Sequence, residues 1–188
     1  GHHIVLAINT ALNAPINYLS VPSKESGIEV AVERLNKGGV DTLVLLGGNP
    51  VYNAPIDLNW ENAQSKAKKT LFLSDAKNET EASADLFMAQ SHYLESWGDG
   101  RAYDGTLLPI QPMIEPLFPT VNELEVLALL LGSHTSDAYK ITQDTFRQLG
   151  GRDFNKFLSD GLFEKSSYEA IPNELDYAVI FDALNEDQ

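Results

Sequence analysis

One stretch constrains this chain more than any other: Val-Asp-Thr-Leu-Val-Leu-Leu-Gly-Gly-Asn-Pro-Val-Tyr-Asn-Ala-Pro at positions 40–55. Residues 40–46 are mostly leucine or β-branched, and Gly47-Gly48 ends the run. A short apolar run bounded by glycines reads as a strand buried on both faces, as in a parallel sheet with helices above and below. Gly47, Gly48, Asn49 and Pro50 then form a sharp turn at the strand's carboxyl end, where ligands sit in open α/β sheets. The stretch therefore places both the core and the first candidate site. The fold expected is α/β: a three-layer Rossmann-like domain with a short, mostly parallel sheet and a C-terminal helical appendage.

The flanking segments follow the same plan. Residues 28–36 are amphipathic, with Ile28, Ala31, Val32 and Leu35 on one helical face, and Gly38-Gly39 ends that helix. Past the turn, Asp57 is placed to cap a helix running to about residue 68, with Trp60, Ala63 and Ala67 inward. Residues 70–74 and 86–90 read as buried strands, with a short helix opening at Asn78-Glu79-Thr80-Glu81 between them. Two strand–helix–strand steps in succession imply a parallel, right-handed arrangement. Residues 2–12, HHIVLAINTAL, are apolar almost all round and predict a buried helix, and residues 17–21 predict a short strand. Because the sequence opens inside a helical pattern, it reads as a piece of a longer chain.

Residues 91–119 are a long stretch rich in glycine and proline, with an extended piece at 106–111. Thr120-Val-Asn-Glu123 reads as a capping box opening an apolar helix over residues 121–131. Helices are expected over 138–149 and 153–159, with Ile141, Phe146, Leu149, Phe154, Phe157 and Leu158 as their small core; residues 177–181 are a last strand candidate. The division expected is residues 1–132 as the α/β domain and 133–188 as a helical appendage packed on it, in one compact unit.

Composition narrows the function. The net charge is −14, and residues 115–188 carry 14 acids against 5 bases. No basic stripe exists to neutralise phosphates, which argues against nucleic acid and anionic membrane surfaces as partners. The chain has no cysteine, which removes disulfides, thiolate metal sites and any iron–sulfur cluster ligated from within it. No apolar run approaches the roughly 20 residues needed to span a bilayer, so direct membrane insertion is not expected.

Two constellations could carry chemistry. Gly47 and Gly48 permit positive φ and close backbone approach, so the turn at 47–50 can present N–H groups to a phosphate or simply close a strand. Neither G-x-G-x-x-G nor a P-loop pattern is present. The second group is His92, Glu95, Asp99, Arg101 and Asp104. His-x-x-Glu on a helix would put two metal ligands on one face. The surrounding glycines favour instead a hydrogen-bonded and ion-paired loop, with Tyr93 and Trp97 as anchors on the sheet. No G-x-S-x-G elbow supports serine catalysis, and no metal ligand set or catalytic residue is assigned.

The combination LGGNPVYNAP, HYLESWGDGRAYDGT and IQPMIEPLF resembles the molybdopterin-oxidoreductase family. Within it the likeness is to the iron–sulfur subunit of alternative complex III, a bacterial quinol-oxidising respiratory complex. The opening HHIVLAINTALN and the tail LLLGSHTSDAYKITQDTFRQL and DFNKFLSDGLFE resemble that subgroup too. The resemblance implies a non-catalytic scaffold domain beside a cluster-bearing part of the same parent chain and beside other subunits. It implies no cofactor in this stretch, with the iron–sulfur clusters elsewhere in the parent, and a place on the periplasmic side of the bacterial inner membrane. In catalytic relatives the loop matching Gly47, Gly48, Asn49 and Pro50 contacts the guanine-dinucleotide arm of a molybdenum cofactor, and the segment matching His92 lines the same region. The rival reading is therefore a molybdopterin guanine dinucleotide-binding domain; a second is a stand-alone nucleotide-binding module.

Overall fold

A computed structural model describes residues 2–20 and 26–171. The strand expected over residues 177–181 lies outside the described residues. The fold is mixed α/β, with a short parallel three-stranded sheet, an antiparallel hairpin, and helices that continue through the C-terminal part.

The sheet has the order β1 (Thr42–Leu46), β2 (Lys69–Ser74), β3 (Leu86–Ala89), all parallel. Leu45 pairs with Phe72, and Phe72 with Phe87. The expectation that β1 is the fully buried centre is corrected: it is an edge strand, exposed at Thr42 and half-buried from Leu43 to Leu46. The centre is β2, where Phe72 and Leu73 have 0% exposure. Its apolar run, Leu-Phe-Leu at 71–73, is shorter than the Leu-Val-Leu-Leu of β1, but it has a partner on both sides.

Helices α2 (Ile28–Lys37) and α4 (Trp60–Gln64) bury Val32, Leu35, Trp60 and Ala63 together, and Leu43 and Leu45 of β1 pack against them. Alternation along the strand puts Leu43 and Leu45 on one face. The helix expected over residues 57–68 is not continuous, and among the described residues Asp57 makes no capping hydrogen bond. Residues 56–58 form a 3-10 turn, Asn59 takes the left-handed conformation (φ 45°), and only Trp60–Gln64 is α-helical. The chain is then drawn into β2, as Lys68 and Lys69 donate backbone N–H bonds to Val40 and Asp41 carbonyls. The short helix expected at residue 78 is a 3-10 turn at Glu81–Ser83. A one-turn helix, α3 (Pro50–Asn53), follows the glycine turn.

Residues 91–119 contain the hairpin β4 (Gly98–Arg101) and β5 (Leu107–Ile110). The extended piece at 106–111 supplies β5; its partner Gly-Asp-Gly-Arg has no β-propensity to announce it. Helices α6 (Ala138–Gln148) and α7 (Phe154–Asp160) pack an aromatic core with this hairpin. Phe146 stacks on Phe157 at 4.6 Å, Phe163 and Phe154 meet Phe146 at 5.0 and 5.7 Å, and Leu107 of β5 completes the cluster. Leu149, expected in this core, is exposed, and Ile141 is only half-buried.

Two more expectations are corrected. Helix α1 (His2–Ala11) forms, but Ile4, Val5 and Ile8 are exposed, so it is not a buried helix. An all-round apolar pattern gives helix type but not what covers it. Of the strand expected over residues 17–21, the described residues 17–20 show a single bridge, Leu19 to Ala170.

Candidate functional site

The turn after β1 is built by backbone geometry. Gly47 and Gly48 hold φ of 72° and 75°, the left-handed region that glycine enters without strain, and a Cβ on either would meet open space. Gly47 donates its N–H to the Leu73 carbonyl at 2.7 Å, which pins the turn to β2.

The turn's side chains are engaged by the loop that follows β2. Asn49 Nδ2 donates to Glu79 Oε2 at 2.6 Å, and Thr80 Oγ1 donates to Asn49 Oδ1 at 2.8 Å. Thr80 Oγ1 also accepts the Val51 N–H, the first one that α3 can offer behind Pro50. Asn78 Nδ2 reaches the Gly48 carbonyl at 3.1 Å, while its Oδ1 accepts from the Thr80 N–H and fixes the second loop. Thr80 has no exposed surface. The Asn49 amide holds the exposed Glu79 carboxyl below the usual carboxylate range, because the bond favours the charged form. The loops after β1 and β2 are thus stitched to each other, with a negative charge at the seam.

His92, the fifth candidate residue, is not brought to this turn. It stands beyond the end of β3, two strand spacings (about 10 Å) from the line of β1. Its Nδ1 accepts the Leu94 N–H at 3.3 Å, its ring lies 4.3 Å from that of Tyr93, and both side chains are exposed. Glu95 does not join His92 as a ligand pair; its oxygens accept the N–H groups of His92 and Leu117, each at 3.4 Å. Trp97, expected as an anchor on the sheet, has Tyr139 of α6 as its ring partner among the described residues, edge-on at 4.8 Å, and Tyr93 is exposed.

The charged groups of the hairpin bond to backbone rather than pair with one another. Arg101 donates to the carbonyls of Gly105 and Ser166 and lies over the Tyr168 ring. Asp104 accepts the Thr106 N–H, and its carboxyl sits below the usual range for that reason. Asp99 is different. Burial pushes its carboxyl above the usual range, and the Arg101 charge only partly offsets this.

Sequence reasoning missed the feature at the end of β3. Val121 bridges Gln90, and its N–H and carbonyl bond to Ala89 and Ser91. The chain then enters α5 (Glu123–Leu130) through a capping box two residues later than expected. Asn122 accepts the Leu124 N–H, and Glu125 returns to the Asn122 N–H at 2.8 Å. Thr120, the expected cap, is bonded to Ser91 instead. Asn122 also donates to the Trp97 carbonyl at 2.7 Å. These bonds frame a cavity of about 360 Å³ lined by Glu95, Glu115, Glu125, Asp137, Trp97 and Tyr139, among others. One signal could have found it: the sequence holds no lysine or arginine between Arg101 and Lys140, while acids recur through that interval.

Among the described residues no group of three or more histidine or acidic side chains is placed to hold a metal ion, and no helix is long and apolar enough to cross a membrane. No family model and no curated protein matches the chain.

Proposed function

We propose that the chain is a non-catalytic, molybdopterin-oxidoreductase-like scaffold domain of an iron–sulfur subunit, serving a quinol-oxidising respiratory complex on the periplasmic side of the bacterial inner membrane. The family part of this reading rests on the motifs at residues 46–55, 92–106 and 110–118. The observation that carries the non-catalytic part is the closure of the turn at 47–50 by Asn78, Glu79 and Thr80. A pyrophosphate arriving there would meet the Glu79 carboxylate on the Asn49 amide, and like charges side by side repel. His92 stands apart from that turn, so the candidates do not converge on one ligand. Without cysteine the chain leaves any cluster to other parts of its parent, and its own role is to hold neighbours in place.

A second reading has one observation in its favour. Among the described residues the N–H groups of Gly48 and Asn49 have no protein acceptor, and the space beside both glycines is open. That is room for a bound anion, as a molybdopterin guanine dinucleotide-binding domain requires. Elemental and pterin analysis of the full-length protein separates the two. The scaffold reading expects neither molybdenum nor tungsten and no releasable pterin; stoichiometric metal with a pterin dinucleotide would overturn it.

A further inference from the structure

Residues 113–118, Met-Ile-Glu-Pro-Leu-Phe, combine a fixed backbone with exposed apolar side chains. Met113 and Ile114 both donate their N–H groups to the Leu94 carbonyl, and Leu117 donates to Glu95. Pro112, Pro116 and Pro119 restrict the chain further. Yet Met113, Leu117 and Phe118 are 76%, 71% and 74% exposed, and Ile114 and Leu94 are exposed as well. An ordered apolar patch of this kind marks an interaction surface.

The surrounding charges decide which partner fits. Ile114 and Glu115 belong both to this segment and to the wall of the cavity. Three of the cavity's carboxylates accept backbone N–H groups: Glu95, Glu125 and Asp137. Glu115 has neither a hydrogen bond nor an ion pair among the described residues. Lys140, 3.5 Å from Asp137, is the one cation paired with a lining carboxylate among the described residues. Nucleic acid and anionic lipid are repelled by such a surface. A second copy would bring acids against acids, at −14 per chain. The complementary partner carries cations beside apolar groups.

We propose that residues 113–118 and the adjoining cavity form a docking surface for a basic, amphipathic segment of another protein. Its apolar side chains cover Met113, Leu117 and Phe118. One lysine or arginine enters the cavity, where carboxylates supply charge and the rings of Trp97 and Tyr139 supply faces for a cation. The turn at 47–50 contributes nothing to this surface, which stands whether or not the scaffold reading does.

Fluorescence polarisation with a labelled helical peptide of lysine and leucine tests this on the full chain. Binding is expected, weakening as salt is raised. Phe118→Ser, at an exposed position, weakens it about tenfold or more, as loss of an aromatic anchor does. Glu115→Gln weakens it about two- to fivefold, as loss of one surface charge does. Circular dichroism unchanged in both variants assigns the loss to the surface. The proposal is overturned by absence of binding, or by binding indifferent to salt and to both variants. Equal affinity for a glutamate–leucine peptide overturns it too. So does self-association, or binding to phosphatidylcholine vesicles, that Phe118→Ser abolishes while peptide binding persists.

Discussion

The carboxyl ends of β1 and β3 lie in one sheet and are finished in opposite ways. At β1 the glycine turn is laced to the next loop by Asn49, Asn78, Glu79 and Thr80, and the polar side chains satisfy one another. At β3 the chain swings out through residues 91–97, returns at Val121, and leaves a cavity with an apolar rim, where Glu115 is a lining carboxylate without a partner among the described residues. The sheet rule directs attention to both ends alike. It does not say which end stays open. That depends on whether the loops there use up their own polar groups.

The contrast is sharpest at the residues that hold each end. Asn122 caps α5, anchors the capping box and donates to the Trp97 carbonyl, so Asn122→Ala removes a cap and leaves a half-buried carbonyl unpaired. Urea unfolding is expected to show a loss of about 2–3 kcal/mol. If the cavity is framed by these bonds, peptide binding at 113–118 falls in the same variant; if binding is unchanged, Asn122 does not shape that end. At the other end, Thr80→Val leaves the Val51 N–H and Asn49 Oδ1 without their partner beneath a buried methyl. The expected loss is about 1–2 kcal/mol, with no effect on peptide binding. A peptide effect of Thr80→Val as large as that of Asn122→Ala would break the comparison.

A smaller change tests the turn itself. Gly47→Ala meets no atom but must adopt φ near 72°, which costs about 1 kcal/mol. Stability should drop by that amount without loss of fold. A drop of several kcal/mol would mean that the space beside Gly47 is not open.

The parallel sheet was legible because β1, β2 and β3 are short apolar runs bounded by turn residues, and pattern alone detects those. The parallel direction was legible too, from strand–helix–strand spacing. The rank of the strands was not. The richer run of β1 suggested the centre, but centrality depends on having two partners, which β2 has and β1 lacks. The hairpin stayed hidden because Gly98-Asp-Gly-Arg pairs through its backbone alone. The capping box was misplaced by two residues because Thr120-x-x-Glu123 and Asn122-x-x-Glu125 fit the motif equally well, and the Ser91 hydroxyl decides the matter by engaging Thr120. Of the candidate residues, Gly47, Gly48, Asn49 and Pro50 form one turn, as their adjacency requires. Distance along the chain could not place His92, and the cavity draws its carboxylates from separate segments that no local motif links.

The smallest effects lie in pH dependence, where the two ends should pull in opposite directions. Glu79 is held below its ordinary value by the Asn49 amide. The unfolded chain then binds more protons than the folded one between the lowered and the ordinary value, and stability rises with pH across that window. The contribution is complete above the ordinary glutamate value and is lost as pH falls through the lowered one. Glu79→Gln should flatten that rise. Asp99, in the hairpin wall near β3, is pushed up by burial. Here the folded chain binds the extra proton between the ordinary and the raised value, so stability falls as pH rises through that window. Asp99→Asn should remove the fall and leave the variant more stable than the parent at neutral pH. The two windows adjoin, so the parent curve blends them, and thermal midpoints of each variant from acid to neutral pH separate the slopes. Slopes of the same sign would show that the β3 end meets its charge as fully as the β1 end does, and the contrast between closed and open ends would fail there first.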